Sequence, residues 1–233
     1  MHYFLAPTIS APTIILTGPE HHHLFRVLRL KVGVRILVGD GGGDVVEAVI
    51  EDVGREETRC TAEAKHRRFN ELPVEVTLLQ GVLKNPSKMD WLLEKGTELG
   101  MTSFIPLMTE RTVAHGVKTD RLRKLAEAAT KQCLRGKIPD IGEARALPDV
   151  VDHLGGMRLL AFHEQAPGHA TLEALTFDER PLALFIGPEG GFSDVEIDLL
   201  RARGADILSL GPRRLRGETA AIVALARVNG ILV

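Results

Sequence analysis

The sequence predicts an α/β protein in which a small N-terminal β-barrel precedes a larger domain built on a mostly parallel sheet. Residues 1–68 consist mainly of short β-branched segments separated by turn residues, as in small barrels. Beyond residue 73, segments of strand length alternate with segments of helical periodicity. Asn70-Glu71-Leu72-Pro73 separates the two patterns and is predicted to be a linker. We therefore expect two domains, residues 1–70 and 71–233.

The N-terminal domain is predicted to contain strands at Thr13–Leu16, Val34–Val38 and Val45–Val53. The glycine-rich run 39–44 lies between the last two strands and predicts the turn of a hairpin. A calcium loop is the alternative, but the run lacks the later acidic ligand of an EF-hand. Thr17-Gly18-Pro19-Glu20 resembles a capping box with proline in the first turn, which predicts a short helix through Arg29.

The C-terminal domain is predicted to alternate between strands and helices, with helices on both faces of the sheet. The expected strands are Val74–Gln80, Ser103–Leu107, Arg158–His163, Leu182–Ile186 and Asp206–Ser209. The expected helices are Ser87–Leu99, stopped by Gly100; Thr119–Leu134; Ser193–Arg203, stopped by Gly204; and Glu218–Val228.

The composition is that of a globular chain: 44% of the 233 residues are hydrophobic and 26% are charged. No segment approaches the roughly 20 apolar residues that cross a bilayer, and the N-terminus does not resemble a signal peptide. The two cysteines, Cys60 and Cys133, form neither a metal motif nor a disulfide framework. These features favour a cytoplasmic protein without a membrane partner.

Basic side chains cluster in two segments, residues 21–35 and 65–68, although the net charge is −2. Such clusters either neutralise phosphates of a nucleic acid or form solvated basic faces. The candidate RNA-binding residues are His22, Arg26, Arg29, Lys65, Arg67 and Arg68. Three consecutive histidines, residues 21–23, point about 100° apart on a helix and cannot converge on one metal ion. We expect them to lie on the surface or to face RNA, and we predict no metal site.

Two loops that follow strands carry the candidate chemistry, because ligands of such sheets bind at the carboxyl ends of strands. In the first, Phe185–Phe192, three glycines allow a ligand to approach the backbone, and Ser193–Glu196 predicts a capping box. The second, Ser209–Gly217, combines three arginines with two leucines, and could offer apolar walls and charge to a cofactor. The chain has no G-x-G-x-x-G or P-loop motif and no nucleophile elbow, which excludes the common dinucleotide, nucleotide and serine-hydrolase sites.

The pair F-I-G-P-E-G-G-F-S and L-G-P-R-x-L-R-x-E-T-A resembles the signature of the SPOUT methyltransferases. More narrowly, it is similar to the members that methylate N3 of a uridine in 16S ribosomal RNA. Further agreement lies in Met89-Asp90-Trp91, in Arg111 and in Gln132-Cys133-Leu134-Arg135, and it extends over nearly the whole chain. The sequence departs from the resemblance at Tyr3, where an arginine that could meet RNA is usual, and at Gly217, where threonine is usual.

The resemblance implies a PUA-like β-barrel for RNA, a SPOUT α/β domain with a trefoil knot, and a homodimer. It implies S-adenosylmethionine as the cofactor and 16S ribosomal RNA, within the small ribosomal subunit, as the partner. The implied cofactor residues are Phe162, His163, Glu164, Gly187, Pro188, Glu189, Gly190, Gly191, Leu210, Gly211, Leu215 and Arg216.

For catalysis, we hypothesise that Arg216 stabilises negative charge that develops on the uracil, while Glu189 or a water takes the N3 proton. Arg216 could equally bind the cofactor or brace the knot. The alternatives for the whole chain are a SPOUT enzyme with another RNA target, a non-catalytic RNA-binding factor of ribosome assembly, and a metabolite-binding α/β protein. The last would leave the basic segment 21–35 without a role.

Overall fold

The computed structural model describes residues 1–10, 12–113, 116–168 and 170–233 of the chain. The chain divides into two compact units. The first unit contains residues 1–71 together with residues 130–138, and the second contains residues 72–129 and 139–233. The N-terminal unit therefore includes a short segment that the sequence places far outside the predicted domain of residues 1–70.

The first unit is built on a five-stranded mixed sheet in the order β1-β3-β4-β5-β2. Its strands are β1 His2–Leu5, β2 Thr13–Thr17, β3 Arg35–Gly39, β4 Val45–Val53 and β5 Glu57–His66. β1 and β3 are parallel, whereas the other pairs are antiparallel. The three predicted strands are confirmed, but β1 and β5 were missed because their alternation is short or interrupted by charged residues.

The turn between β3 and β4 is held by Asp40, as expected of a hairpin. Its carboxylate Oδ1 accepts the backbone N–H groups of Gly42 at 2.7 Å and Asp44 at 3.2 Å. Gly43 has a φ of +124°, a conformation that side-chain-bearing residues rarely adopt. The glycine-rich run is therefore a structural turn, in which the Asp40 carboxylate accepts backbone hydrogen bonds.

A short helix follows β2, but it differs from the prediction. Helix α1 covers Gly18–His22 and continues as a π-helical turn, His23–Leu28, which ends at Arg29 in the left-handed region. The predicted capping box at Thr17 is wrong: Thr17 makes no side-chain capping bond. The carboxylate of Glu20 accepts the backbone N–H of Leu5.

Apolar residues from all five strands form the core of the first unit, with Phe4, Ile14, Leu16, Ile36, Val38, Ile50 and Cys60 almost completely buried. An ion pair between Glu71 and Arg135 is buried as well, with side chains only 5% and 3% exposed and an N–O distance of 2.5 Å. Glu71 therefore does not belong to a solvated linker. It also accepts the backbone N–H of Lys137 at 2.9 Å, which fixes the segment 130–138 on this unit.

The second unit contains a seven-stranded sheet whose strands are all parallel, as predicted. The order is β12-β10-β11-β6-β7-β8, with β9 also paired to β7. The strands are β6 Val76–Gly81, β7 Ser103–Met108, β8 Asp140–Ile141, β9 Arg145–Ala146, β10 Arg158–Phe162, β11 Leu182–Ile186 and β12 Asp206–Leu208. Because the strands are parallel, the loops after β6, β10, β11 and β12 emerge at one edge of the sheet.

Five helices complete the chain: α2 Pro86–Glu98, α3 Thr119–Cys133, α4 Leu147–Val151, α5 Asp194–Ala202 and α6 Gly217–Leu232. The ends of α2, α3, α5 and α6 agree with the sequence to within a few residues, whereas the short helix α4 was not predicted. Asn85 caps α2, Gly100 follows its end with a φ of +91°, and the Ser193–Glu196 capping box opens α5 as predicted. Within the described ranges, no helix combines the length and the apolar character that a membrane span requires.

Candidate active site

A cavity of about 830 Å³ opens at the carboxyl ends of β10, β11 and β12 in the second unit. Three segments line it: the residues that follow β10, the loop after β11 and the loop after β12. Of the predicted cofactor residues, all but Gly190 line this cavity, namely Phe162, His163, Glu164, Gly187, Pro188, Glu189, Gly191, Leu210, Gly211, Leu215 and Arg216. Residues from three separate parts of the sequence thus meet at one site.

Other lining residues lie within the two loops predicted to carry the chemistry but were not named as cofactor residues: Ile186, Phe192, Ser209, Pro212, Arg213, Arg214 and Gly217. Gln165, Ala166, Gly168 and Ala220 line the cavity from outside those loops. Residues 165–168 carry no pattern that marks them as ligand-binding. Gly190 lies outside the lining, and its carbonyl accepts a hydrogen bond from Nη1 of Arg111 at 2.8 Å.

The loop after β11 is shaped by close backbone packing. A Cβ atom at Gly187 would lie 2.9 Å from the Cα of Gly191 and 3.0 Å from the backbone nitrogen of Phe192. Gly191 has a φ of +70° and donates its N–H to the carbonyl of Pro188 at 2.9 Å. Only glycine at position 187 permits this tight turn, which leaves backbone groups and little side-chain bulk at the cavity wall.

Glu189 is the acidic side chain of this loop, and its carboxylate is partly engaged. Its Oε1 accepts the backbone N–H of Lys84 at 3.0 Å, and the side chain lines the cavity. One carboxylate oxygen of Glu189 is thereby held by the segment after β6. If Glu189 takes the proton, it does so as a carboxylate that the backbone N–H of Lys84 already orients.

The loop after β12 carries the positive charge of the site. Gly211, with a φ of +112°, donates its N–H to Oγ of Ser209 at 3.1 Å. Arg214 pairs with Glu164 at 3.2 Å, so an exposed ion pair joins two of the lining segments. Arg216 occupies the N-cap position of α6, and among the described residues it has no carboxylate within ion-pair distance. Its guanidinium is thus available to a ligand.

Burial acts on two ionisable groups in this region. It lowers the pKa of His163 below its usual value, against the opposing effect of Glu164, and so favours the neutral imidazole at this cavity residue. For Glu218, in the first turn of α6, burial by itself raises the pKa of the carboxyl group. A hydrogen-bonded ion pair with Lys88 at 2.7 Å nevertheless holds the pKa of Glu218 below its usual range. Glu218 is therefore a carboxylate at neutral pH.

The candidate RNA-binding residues His22, Arg26, Arg29, Lys65, Arg67 and Arg68 are all exposed on the first unit. Arg26 lies over the ring of Phe25 at 4.8 Å, and Lys65 pairs with Asp44 at 2.7 Å. His21, next to His22, contacts Thr58 near the start of β5, whereas Lys65 lies at the other end of that strand, roughly 20 Å along it. His22 and Lys65 are therefore not neighbours in one compact patch.

One expectation for this unit is wrong. His21 is buried rather than exposed: its Nε2 lies 3.2 Å from the carbonyl of Arg55 and its Nδ1 2.8 Å from the hydroxyl of Thr58. Because a carbonyl can only accept, Nε2 carries the proton and the ring serves the fold. Tyr3 is only 6% exposed and packs in a small apolar cluster, so this position does not present a side chain to RNA. The described part of the chain contains no metal-binding cluster of histidine, cysteine or acidic residues.

Comparison with known families agrees with this arrangement. Residues 16–62 match the family described as the RNA methyltransferase PUA domain, and residues 70–229 match the RNA methyltransferase domain. The fold and the site thus define an RNA methyltransferase that carries a PUA domain.

More specific relatives share almost the whole chain. The ribosomal RNA small subunit methyltransferase E of a Synechocystis species is 34% identical over 96% of this chain and 75% of its own length. The protein of the same name from Bacillus subtilis is 28% identical, covering 94% and 91%. The crystal structure of the Neisseria gonorrhoeae enzyme bound to S-adenosylmethionine is 25% identical and superposes with a TM-score of 0.89, covering 99% of this chain and 98% of that one. The chain belongs to the ribosomal RNA small subunit methyltransferase E family, which confirms the predicted family and fold class.

Proposed function

We propose that this protein transfers a methyl group from S-adenosylmethionine to N3 of one uridine in 16S ribosomal RNA, within the small ribosomal subunit. The observation that carries the proposal is the cavity, at which the two signature loops of the sequence meet. Membership of the family supports the enzyme class, the cofactor and ribosomal RNA as the substrate. The position of the methyl group on the base is inferred from the sequence resemblance.

The cavity suits this cofactor in size and chemistry. Its volume falls within the roughly 300–1,000 Å³ of small-molecule sites, and such sites combine apolar walls with a few polar groups. Phe162, Ile186, Leu210 and Leu215 supply apolar walls, and the turn at Gly187 brings backbone groups to the surface where a Cβ could not fit. When bound, S-adenosylmethionine supplies an electrophilic methyl group on its sulfonium.

The protein's own contribution would be to orient the uracil and to handle its N3 proton. We propose that the guanidinium of Arg216, which has no carboxylate within ion-pair distance among the described residues, stabilises negative charge as it develops on the base. Glu189, or a water beside it, would accept the proton, since its carboxylate lines the cavity and is oriented by Lys84. In its neutral form, His163 would add no positive charge to compete with Arg216.

Single-turnover methylation at saturating cofactor and RNA tests these roles. Arg216→Ala is expected to slow the chemical step by about 10²- to 10³-fold, as does removal of a group that stabilises transition-state charge. Glu189→Gln is expected to slow it by about 10²-fold or more if the carboxylate is the general base. Near-normal turnover of either variant would contradict the role of that residue. Mass mapping of 16S ribosomal RNA from cells with and without the gene would identify the modified nucleotide.

We further propose that the first unit contacts the RNA backbone through its exposed basic residues, and that the enzyme acts as a cytoplasmic homodimer. For the second unit we propose the trefoil knot that the sequence resemblance implies. Analytical ultracentrifugation tests the oligomeric state. A dimer is expected at micromolar concentration, and a monomer would contradict the proposal.

A further inference from the structure

The last polar residue of β6 is completely buried. Gln80 has no exposed surface, and a buried amide group is unfavourable unless it is hydrogen-bonded. Its Oε1 has no hydrogen-bond partner among the described residues, so the NH₂ group makes the polar contacts of this side chain. Its Nε2 donates to the carbonyl of Gly81 at 2.9 Å and to the carbonyl of Gly187 at 3.1 Å, across 107 positions of the sequence. Because both neighbours are carbonyl oxygens, the contacting atom must be the NH₂ group of the side chain.

Three chain segments meet at this amide. A Cβ at Gly81 would overlap Pro188, so the end of β6 lies directly against the loop after β11. A Cβ at Gly217 would lie 3.6 Å from Nε2 of Gln80, which places the start of α6 beside the same group. Gly187, Pro188 and Gly217 line the cavity, whereas Gln80 does not. The amide therefore supports the cavity wall from the buried side.

The peptide bond between Gly187 and Pro188 makes this contact specific. Proline has no backbone N–H, so the carbonyl of Gly187 is the only polar group of that peptide bond that can be anchored. Gln80 provides the anchor. Without it, the carbonyl would be left buried without a partner or would rotate, and the loop would change its shape.

The same stretch of chain holds the site at two further points. Lys84 donates its backbone N–H to Glu189, and Lys88 pairs with Glu218 in the first turn of α6. Residues 80–88 therefore contact the loop after β11 and the start of α6, and Gln80 makes its side-chain hydrogen bond to that loop from a fully buried position.

We propose that Gln80 is a positioning residue of the methyl-transfer site, which fixes the first cofactor loop by holding the carbonyl of Gly187. The proposal rests on the function proposed above and deepens it, because it assigns a part in cofactor binding to a residue outside the cavity. It gives Gln80 no direct contact with the cofactor or the RNA.

Two variants separate the donor from the volume of the side chain. Gln80→Leu and Gln80→Met both remove the donor, and Gln80→Met keeps more of the length and volume of the side chain. In both, the dissociation constant of S-adenosylmethionine, measured by calorimetry, should rise by about tenfold or more, as expected for loss of a buried hydrogen bond. KM for the cofactor should rise in parallel, while kcat at saturation stays within about threefold because the reacting groups are retained. Gln132→Met, at an exposed position of α3, is the matched control for loss of a glutamine amide and should bind like the wild type.

Folded variants that bind the cofactor within threefold of the wild type would overturn the proposal. A fall in kcat without a change in KM would also contradict it, because the role would then lie in the chemistry. If neither variant folds, the amide serves the sheet as a whole and the specific role is wrong. A wild-type chain that fails to bind S-adenosylmethionine would instead overturn the proposed function, so the two failures are distinguishable.

Discussion

Replacement of Gly187 by alanine should weaken cofactor binding through a clash that can be located atom by atom. The new Cβ would lie 2.9 Å from both the Cα and the carbonyl carbon of Gly191, and 3.0 Å from the nitrogen of Phe192. All three are backbone atoms, so no side-chain rotation can relieve the contact. The turn must open, and forced expansion of a well-packed region costs about 1–3 kcal/mol. If the strain falls on the binding-competent loop, affinity drops about 5- to 150-fold.

Calorimetric titration of the variant with S-adenosylmethionine measures this effect, and thermal unfolding shows whether the fold itself has suffered. Gly155→Ala is the matched control, since a Cβ there meets nothing within 4 Å and the backbone is not left-handed. Gly191→Ala separates steric clash from backbone strain: a Cβ there also meets nothing, but its φ of +70° disfavours alanine by about 1–2 kcal/mol. A Gly187→Ala protein that binds within threefold of the wild type would refute the argument that backbone packing in this loop shapes the cavity.

Three further predictions concern charge. Glu71→Gln removes the carboxylate that pairs with the buried guanidinium of Arg135 and should lower the free energy of unfolding by about 3–5 kcal/mol in urea titrations; a loss below about 1 kcal/mol would contradict it. Arg29→Glu should weaken RNA binding and reduce the slope of log affinity against log salt by about one or more, whereas an unchanged slope would remove Arg29 from the RNA face. Because the pKa of Glu218 is lower in the folded chain than its usual 4.5, its ion pair stabilises the fold above that pH, and this stability is lost as the pH falls through the folded pKa. Lys88→Met should reduce this acid sensitivity, as followed by thermal unfolding between about pH 3 and 7, and an identical pH profile would argue against the pair.

Local signals in the sequence predicted much of the second unit. Ser193 and Glu196 form the expected capping box, and Gly100 follows the end of α2 as its position suggested. These features depend on residues within a few positions of one another, so the sequence contains all the partners. The parallel sheet followed from the alternation of strands and helices, whose connections leave few other arrangements.

Long-range partners explain what the sequence could not predict. Glu71 looked like part of a linker because its partner, Arg135, lies 64 positions away. Gln80 looked like the polar end of a strand, since nothing nearby indicates that Gly187 needs a donor. The π-helical turn after α1 and the burial of Tyr3 likewise depend on packing. At the cavity, motifs identified residues on all three walls, but the contacts that support these residues from the buried side could not be inferred from the sequence.

The buried ion pair of the first unit also limits how this protein can be divided. A fragment cut after residue 71 would end at Glu71 and would lack Arg135, as well as Lys131, which pairs with Glu20. Two carboxylates would then lose their cationic partners, and a sheet that looks complete in sequence would fold with an uncompensated acidic group in its interior. The first unit is therefore not a module of consecutive residues: exchanging it between relatives requires residues 130–138 to be exchanged together with residues 1–71.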